Sequence, residues 1–252
     1  PLLPRADGRP SPAWDTGYAR RRAATVRQFS AEHVAALAVM AFAAALAIAT
    51  ARRGGERAVA VLSRALALVI LAGWIGEQIA DVVEGIWSVK YTLPLQLTDL
   101  VSVVAVAALL RPRPLLVELT WFWALTATLQ AVLTPDLART IPSVFYFTYF
   151  AYHLGVIVAA FLLVVGERRY PRPGAAWRVF AVTAAWAAVA GAADLATGGN
   201  YMYLRAKPAH SSLLSVMARW PWYILETAVV ALAMLLAVQA LTDVMRRCDL
   251  GR

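Results

Sequence analysis

The sequence predicts an all-α polytopic membrane protein, a seven-transmembrane-helix bundle with an outward-facing polar funnel. Three observations predict this fold class. Of the 252 residues, 61% are hydrophobic and only 15% are charged, a balance outside the range of soluble domains. Seven apolar segments come close to or exceed the length of about 20 residues that a helix needs to cross a bilayer. Almost all the polar residues within these segments lie towards the same end, which indicates a shared interior or cavity.

The predicted spans follow one another with connections too short for a second folded domain. They cover residues 29–51, 58–84, 95–110, 115–133, 145–165, 175–196 and 222–244. The chain therefore divides into a flexible basic arm at 1–28, a transmembrane domain at 29–245 and a short cytoplasmic tail at 246–252. The arm is rich in Pro and Arg and has no apolar helical period. It also lacks the apolar centre of a cleavable signal peptide.

Basic residues collect in one of the two sets of loops. One set, with the tail, holds twelve arginines, at positions 52, 53, 57, 111, 113, 168, 169, 172, 178, 246, 247 and 252, whereas the other loops hold five basic residues. Because loops rich in Lys and Arg stay in the cytoplasm, we expect the C-terminus inside and the N-terminus outside. Arginines facing anionic lipid explain most of the net charge of +9, so no nucleic-acid partner is expected.

The third span is unusually short. Pro94 can begin a helix but cannot continue one, and only about 16 apolar residues follow before Arg111, fewer than a full crossing needs. The helix is therefore expected to start below the outer surface. Its first turn, which contains Thr98, would present unbonded backbone N–H groups that can stabilise an oxyanion.

Thr98 and His153 are predicted to lie at the same depth. Each stands 13 residues before the arginine-bearing end of its span, at Arg111 and Gly166 respectively, which corresponds to about 20 Å of helical rise. A threonine hydroxyl is a weak nucleophile until a base takes its proton, and histidine titrates near neutral pH. We predict a Thr98 nucleophile with His153 as its base. The alternative is structural, with Thr98 bonded to a carbonyl of its own helix and His153 to the backbone of a neighbouring helix.

Further polar residues are expected to bind or orient a substrate. They are Asp99, Gln96, Gln130, Asn200, Tyr201, Glu77 and Glu226. Glu77, Asp81 and Glu84 form a stripe on one helix face, interpreted as the wetted end of that helix in preference to a cation site. No metal site is predicted, because the histidines show no ligand spacing. Cys248 is the single cysteine, and no nucleotide or cofactor motif is present, so no cofactor is expected.

Six motifs together resemble those of the bacterial YwaF-like integral membrane proteins. They are LPLQLTD at 93–99, ELTWFW at 118–123, LQAVLTPD at 129–136, FAYHLG at 150–155, GGNYMYL at 198–204 with Lys207-Pro208, and WPWY at 220–223. That family is similar to a eukaryotic transmembrane acyltransferase that remodels ether phospholipids. It is more distantly similar to the androgen-induced membrane hydrolases that cleave fatty acid esters of hydroxy fatty acids.

The resemblance implies chemistry at two positions. A cysteine nucleophile of the acyltransferase branch matches Thr98, whereas the androgen-induced hydrolases use a threonine and a histidine, the pair found here at Thr98 and His153. Gln96 stands where a histidine is common. The resemblance implies a lipid acyltransferase or ester hydrolase in the bacterial cytoplasmic membrane. Its partners would be membrane lipids, and its substrate an acyl ester from the outer leaflet.

Two other functions remain open on the same residues. An outward funnel lined by carboxylates and amides also suits a small-solute or proton-coupled transporter or binding protein, because polar residues near the middle of the membrane mark transport sites. A non-catalytic membrane accessory subunit is the third interpretation.

Overall fold

Seven apolar helices follow one another along the chain. The computed structural model describes residues 26–135, 137, 139–208 and 213–250, so most of the predicted arm and the last two residues of the tail lie outside the described residues. The helices are α1 Ala31–Arg53, α2 Glu56–Val83, α3 Leu97–Leu110, α4 Pro114–Leu133, α5 Val144–Gly166, α6 Ala175–Thr197 and α7 Trp222–Leu250. All except α3 are long and apolar enough to cross a membrane. The predicted all-α polytopic bundle is confirmed.

Local signals in the sequence set the helix boundaries. Ser30 caps α1 by accepting a hydrogen bond from the His33 backbone N–H, and Pro114 begins α4 at the position that tolerates a missing N–H. Gly174 and Gly198 flank α6 with φ angles of 74° and 71°, a left-handed conformation that favours glycine. The loops between α1 and α2, α3 and α4, and α5 and α6 share one end of the bundle, called the arginine-rich end below.

The centre of the bundle is α5. In its most apolar stretch 83% of the residues are buried, compared with 6% in α7, and α5 packs against α1, α2, α3 and α4. Its most extensive contact is with α2. Two glycines permit this contact, because a Cβ on Gly155 would lie 2.7 Å from Ile70 Cγ1 and one on Gly73 would lie 2.9 Å from the Tyr152 backbone nitrogen.

At the edge of the bundle, α6 and α7 pack on each other and join the core through α4. The Trp123 indole donates to the Thr183 hydroxyl on α6 at 2.9 Å, and the Trp121 indole donates to the Thr242 hydroxyl on α7 at 2.8 Å. Just beyond these tryptophans, α4 contains a π-helical turn at Ala124–Thr128. Buried indoles with partners fix the rotation of α4 relative to its outer neighbours.

The shortness of α3 brings its first turn into the interior of the bundle. With 14 residues it is about 21 Å long, whereas the 28 residues of α2 extend about 42 Å. The Trp74 indole on α2 donates to Asp99 Oδ1 in the first turn of α3 at 3.0 Å. Trp74 lies about 27 Å along α2 from Glu56 by helical rise, so α3 begins well short of the far end of α2.

Candidate active site

The start of α3 is held by its own side chains. Gln96 is the N-cap residue in an extended conformation, and Asp99 Oδ2 accepts a hydrogen bond from the Gln96 backbone N–H at 3.0 Å. The other oxygen of Asp99 binds Trp74. Asp99 therefore uses both carboxylate oxygens to fix the first turn of α3 and to attach it to α2.

The irregular segment before α3 is covered by the chain that follows α6. The buried Tyr201 hydroxyl donates to the Val89 carbonyl at 2.8 Å and accepts from the Leu93 backbone N–H at 3.0 Å. The Trp186 indole on α6 donates to the Leu95 carbonyl at 3.2 Å. Protein contacts thus satisfy backbone groups that have no intrahelical partner, as irregular backbone within a membrane requires.

Two further contacts join the loop after α6 to the segment before α3. The Met202 backbone N–H donates to Gln96 Oε1 at 2.9 Å, so the N-cap side chain binds the loop after α6. A Cβ on Gly199 would lie 2.7 Å from the Lys90 carbonyl oxygen, so only glycine permits the approach of the two backbones. The predicted orienting residues Gln96 and Tyr201 therefore build the support for the first turn of α3.

Thr98 occupies the second position of α3 and is partly buried. Its carbonyl accepts a hydrogen bond from the Ser102 hydroxyl at 2.8 Å. Within the described residues, neither its hydroxyl nor the backbone N–H groups of Leu97 and Thr98 form a hydrogen bond. The self-bonded alternative for Thr98 is thus not what the structure contains, and the turn presents one hydroxyl together with two N–H donors.

His153 is buried in α5 with a defined tautomer. Its Nδ1 lies 2.8 Å from the Tyr149 carbonyl oxygen, and because a carbonyl only accepts, Nδ1 carries the hydrogen and Nε2 of the neutral ring carries the lone pair. The imidazole lies 4.1 Å from the ring centroids of both Tyr149 and Tyr152. Tyr149 lies one helical turn before His153 and Tyr152 directly precedes it, so two tyrosine rings and one carbonyl contact the imidazole.

Carboxylates from α2 and α3 lie near Tyr152 of α5. Glu77 on α2 interacts with Tyr152 and with Asp99. Asp99 follows Thr98 in the chain and Tyr152 precedes His153, so α3 and α5 meet at the level of the predicted pair. The contacts among Glu77, Asp99 and Tyr152 therefore relate the start of α3 to the middle of α5.

The remaining predicted site residues make contacts elsewhere. The Asn200 side chain accepts from the backbone N–H groups of residues 205 and 206 and donates to the Ala206 carbonyl, which folds its own loop. Gln130 is exposed on α4 and donates to the Met234 sulfur of α7 at 3.3 Å. Glu226 in α7 accepts from the Ala218 backbone N–H at 2.8 Å. Of the acidic stripe, Glu84 binds Arg139 with both oxygens, and this carboxylate raises the pKa of the Arg139 guanidinium above its ordinary value.

The sequence interpretation passed over two charged residues near the arginine-rich end. Glu118 is 1% exposed and binds both Arg172 and Arg178, so a buried carboxylate also exists at the end where few polar groups were expected. The sequence did contain a signal for Glu118. It is a lone acidic residue one turn after Pro114, between loops that carry arginines. Arg64 lies within α2 itself and was missed because only loop arginines were counted.

Within the described residues, no group of three or more His, Cys, Asp or Glu side chains is arranged to hold a metal ion.

The sequence profile of the TMEM164 family matches residues 28–238. The chain belongs to the TMEM164 family. The matched region begins just before α1 and ends within α7, so it includes Thr98, His153 and every helix of the bundle. No curated protein and no solved structure matches the chain. Membership of the TMEM164 family agrees with the multi-pass membrane class that the apolar helices define.

Proposed function

We propose that this TMEM164 family protein is a membrane-embedded lipid acyltransferase or ester hydrolase. Its nucleophile is the Thr98 hydroxyl and its general base is His153. The observation that carries the proposal is the unbonded Thr98 hydroxyl in the first turn of a helix that starts inside the bundle. On the neighbouring helix, a buried neutral histidine keeps Nε2 available, because Nδ1 is bonded to the Tyr149 carbonyl.

The reaction proceeds in two balanced steps. Thr98 Oγ1 attacks the ester carbonyl carbon while His153 Nε2 takes the hydroxyl proton, and the resulting oxyanion accepts hydrogen bonds from the N–H groups of Leu97 and Thr98. Collapse breaks the bond to the leaving alcohol, which receives the proton from Nε2 and leaves an acyl-threonine. Water or a second lipid alcohol then attacks the acyl carbonyl and loses its proton to His153 Nε2. The bond between the acyl carbon and Thr98 Oγ1 breaks, and Nε2 returns the proton to Oγ1.

Neighbouring residues orient these two groups. The Tyr149 carbonyl holds the imidazole tautomer, while Tyr152 and Glu77 hold the helix face on which it lies. Asp99, Gln96 and Tyr201 position the turn of Thr98. The ester enters this site from the outer leaflet.

Two lines of support lie outside the geometry. The motif resemblance to YwaF-like proteins, and through them to acyltransferases and fatty-ester hydrolases, matches a nucleophile to Thr98 and a histidine to His153. The arginines at one end support the proposal that this end faces the cytoplasm of a bacterium, with the C-terminus inside and the N-terminus outside. The site then faces the outer leaflet.

A fluorophosphonate probe tests the nucleophile on purified protein. We expect a covalent adduct on Thr98, found by mass spectrometry of peptides, that is absent in Thr98→Ala and reduced about 100-fold or more in rate in His153→Ala. Thr227→Ala is the matched control, because the Thr227 hydroxyl on α7 bonds the Tyr223 carbonyl of its own helix. An adduct that survives in Thr98→Ala contradicts the proposal. Solute uptake by reconstituted protein that tolerates Thr98→Ala would favour the transporter interpretation instead.

A further inference from the structure

A cavity opens at the arginine-rich end, at the opposite end of α3 from Thr98. Its volume is about 500 Å³, and it lies between the end of α1, the start of α2, the end of α3 and the loop after α5. Val59, Leu109 and Leu110 provide apolar wall. The charged lining residues come from α2 and from the loop after α5.

Arg64 is the unusual member of this lining. It lies eight residues into α2, within an apolar run, about 12 Å along the helix from Glu56. Among the described residues it has neither an ion pair nor a hydrogen bond. An ionisable residue inside a membrane span is costly, and such residues mark binding sites and pathways. The Arg64 guanidinium is therefore suited to bind an anion from outside the described chain.

The rest of the lining contains complementary charges and a hydroxyl. Glu167 and Arg169 neutralise each other through a 2.7 Å ion pair. Glu56, at the mouth, has no ion pair within the described chain. The buried Ser63 beside Arg64 also lines the cavity and offers a hydroxyl donor. The unpaired cation Arg64 therefore lies further along α2 than the unpaired anion Glu56 at the mouth.

We propose that this cavity binds the headgroup of a zwitterionic phospholipid, one that carries a phosphate and an ammonium group. The phosphate binds Arg64 and Ser63, and the ammonium faces Glu56. In a bilayer the phosphate lies nearer the hydrocarbon than the amine does, which is the order of Arg64 and Glu56 along α2. Helical side chains lean towards the helix N-terminus, so the Arg64 guanidinium reaches towards the headgroup layer. This site does not depend on the acyl chemistry proposed above.

Lipid titration tests the site on the full-length protein purified in detergent. Native mass spectrometry measures binding of phosphatidylethanolamine and of phosphatidylglycerol with identical acyl chains. We expect tighter binding of phosphatidylethanolamine, weakened about tenfold or more in Arg64→Gln, because a charge-assisted contact is lost. Glu56→Gln should remove most of the preference for phosphatidylethanolamine. Arg57→Gln is the matched control, since Arg57 lies in the first turn of α2 but does not line the cavity.

Three outcomes would overturn the proposal. They are phosphatidylethanolamine binding by Arg64→Gln within about twofold of the original protein, equal affinity for the two lipids in the unaltered protein, and displacement of the lipid by inorganic phosphate alone. The last would identify a free-anion site rather than a lipid site. Thermal unfolding of each variant, followed by tryptophan fluorescence, verifies that the exposed Arg64 and Glu56 were replaced without loss of the fold.

Discussion

The backbone of Gly73 lies against the backbone of Tyr152 at the contact between α2 and α5. A Cβ on Gly73 would be 2.9 Å from the Tyr152 nitrogen and 3.0 Å from the Thr148 carbonyl oxygen. Tyr152 precedes His153, so the position of the candidate base along the bundle depends on how closely these two helices approach. Backbone atoms cannot rotate away as side chains can, which leaves no room for even a methyl group.

Gly73→Ala is therefore expected to destabilise the protein by about 1–3 kcal/mol through overpacking. Gly191→Ala provides a matched control within α6, where the added Cβ would have its nearest contact at 3.6 Å and alanine favours the helix. Thermal unfolding in detergent, read by tryptophan fluorescence, should show a lower midpoint only for Gly73→Ala. Equal midpoints for the two variants would contradict the close contact.

Glu118 anchors the arginine-rich end from inside. It is 1% exposed, and its two oxygens accept hydrogen bonds from Arg172 and Arg178. Glu118→Ala is expected to cost about 1–3 kcal/mol, because the Arg172 backbone N–H and the guanidinium groups of Arg172 and Arg178 lose their charged acceptor. Glu167→Ala, whose partner Arg169 is 44% exposed, should cost about 1 kcal/mol or less. Chemical denaturation of the two variants measures the difference, and similar losses would argue against a special role for Glu118.

The proposed acyl chemistry makes Thr98→Cys informative. In a Cys248→Ser background the introduced thiol is the only one in the chain. If His153 Nε2 faces position 98, it will promote thiolate formation, and N-ethylmaleimide labelling should be at least about tenfold slower when His153→Ala is added. Mass spectrometry of the labelled protein over time gives the rates. Labelling rates that do not depend on His153 would show that His153 is not the base for the group at position 98.

Tyr201 connects the loop after α6 to the segment before α3. Burial raises the pKa of its hydroxyl, so at neutral pH it stays protonated and donates to the Val89 carbonyl. Tyr201→Phe is expected to cost about 1–3 kcal/mol, since the Leu93 N–H loses its partner, and to slow probe labelling of Thr98.

Tyr146→Phe is the comparison for this effect. Its hydroxyl bonds the Glu32 carbonyl between α5 and α1 at 2.8 Å, so its loss should lower stability without changing the labelling of Thr98. Labelling rates and unfolding midpoints measured on both variants separate positioning from general stability. Parallel loss of labelling in both would mean that Tyr201 acts only through stability.

The predicted spans agree with the helices to within a few residues at most ends. The sequence placed the third span at 95–110, and the helix occupies Leu97–Leu110, because Pro94 and the capping pair Gln96 and Asp99 are local signals. Side-chain partners were harder to predict. Gln130 and Asp99 were both expected in the site, yet one is exposed against α7 and the other is bonded to Trp74.

By itself, the sequence determined the number of apolar helices, the short third helix and the end at which arginines collect. These properties follow from the lengths of the apolar segments and from the positions of proline and of charged residues along the chain. Only the tertiary structure decided which partner each buried polar group has: Tyr152 for Glu77, Trp74 for Asp99, and two loop arginines for Glu118. Those partners depend on how each helix is rotated about its axis and which helix lies beside it. That rotation is set by contacts such as Gly73 against Tyr152, between residues far apart in the chain.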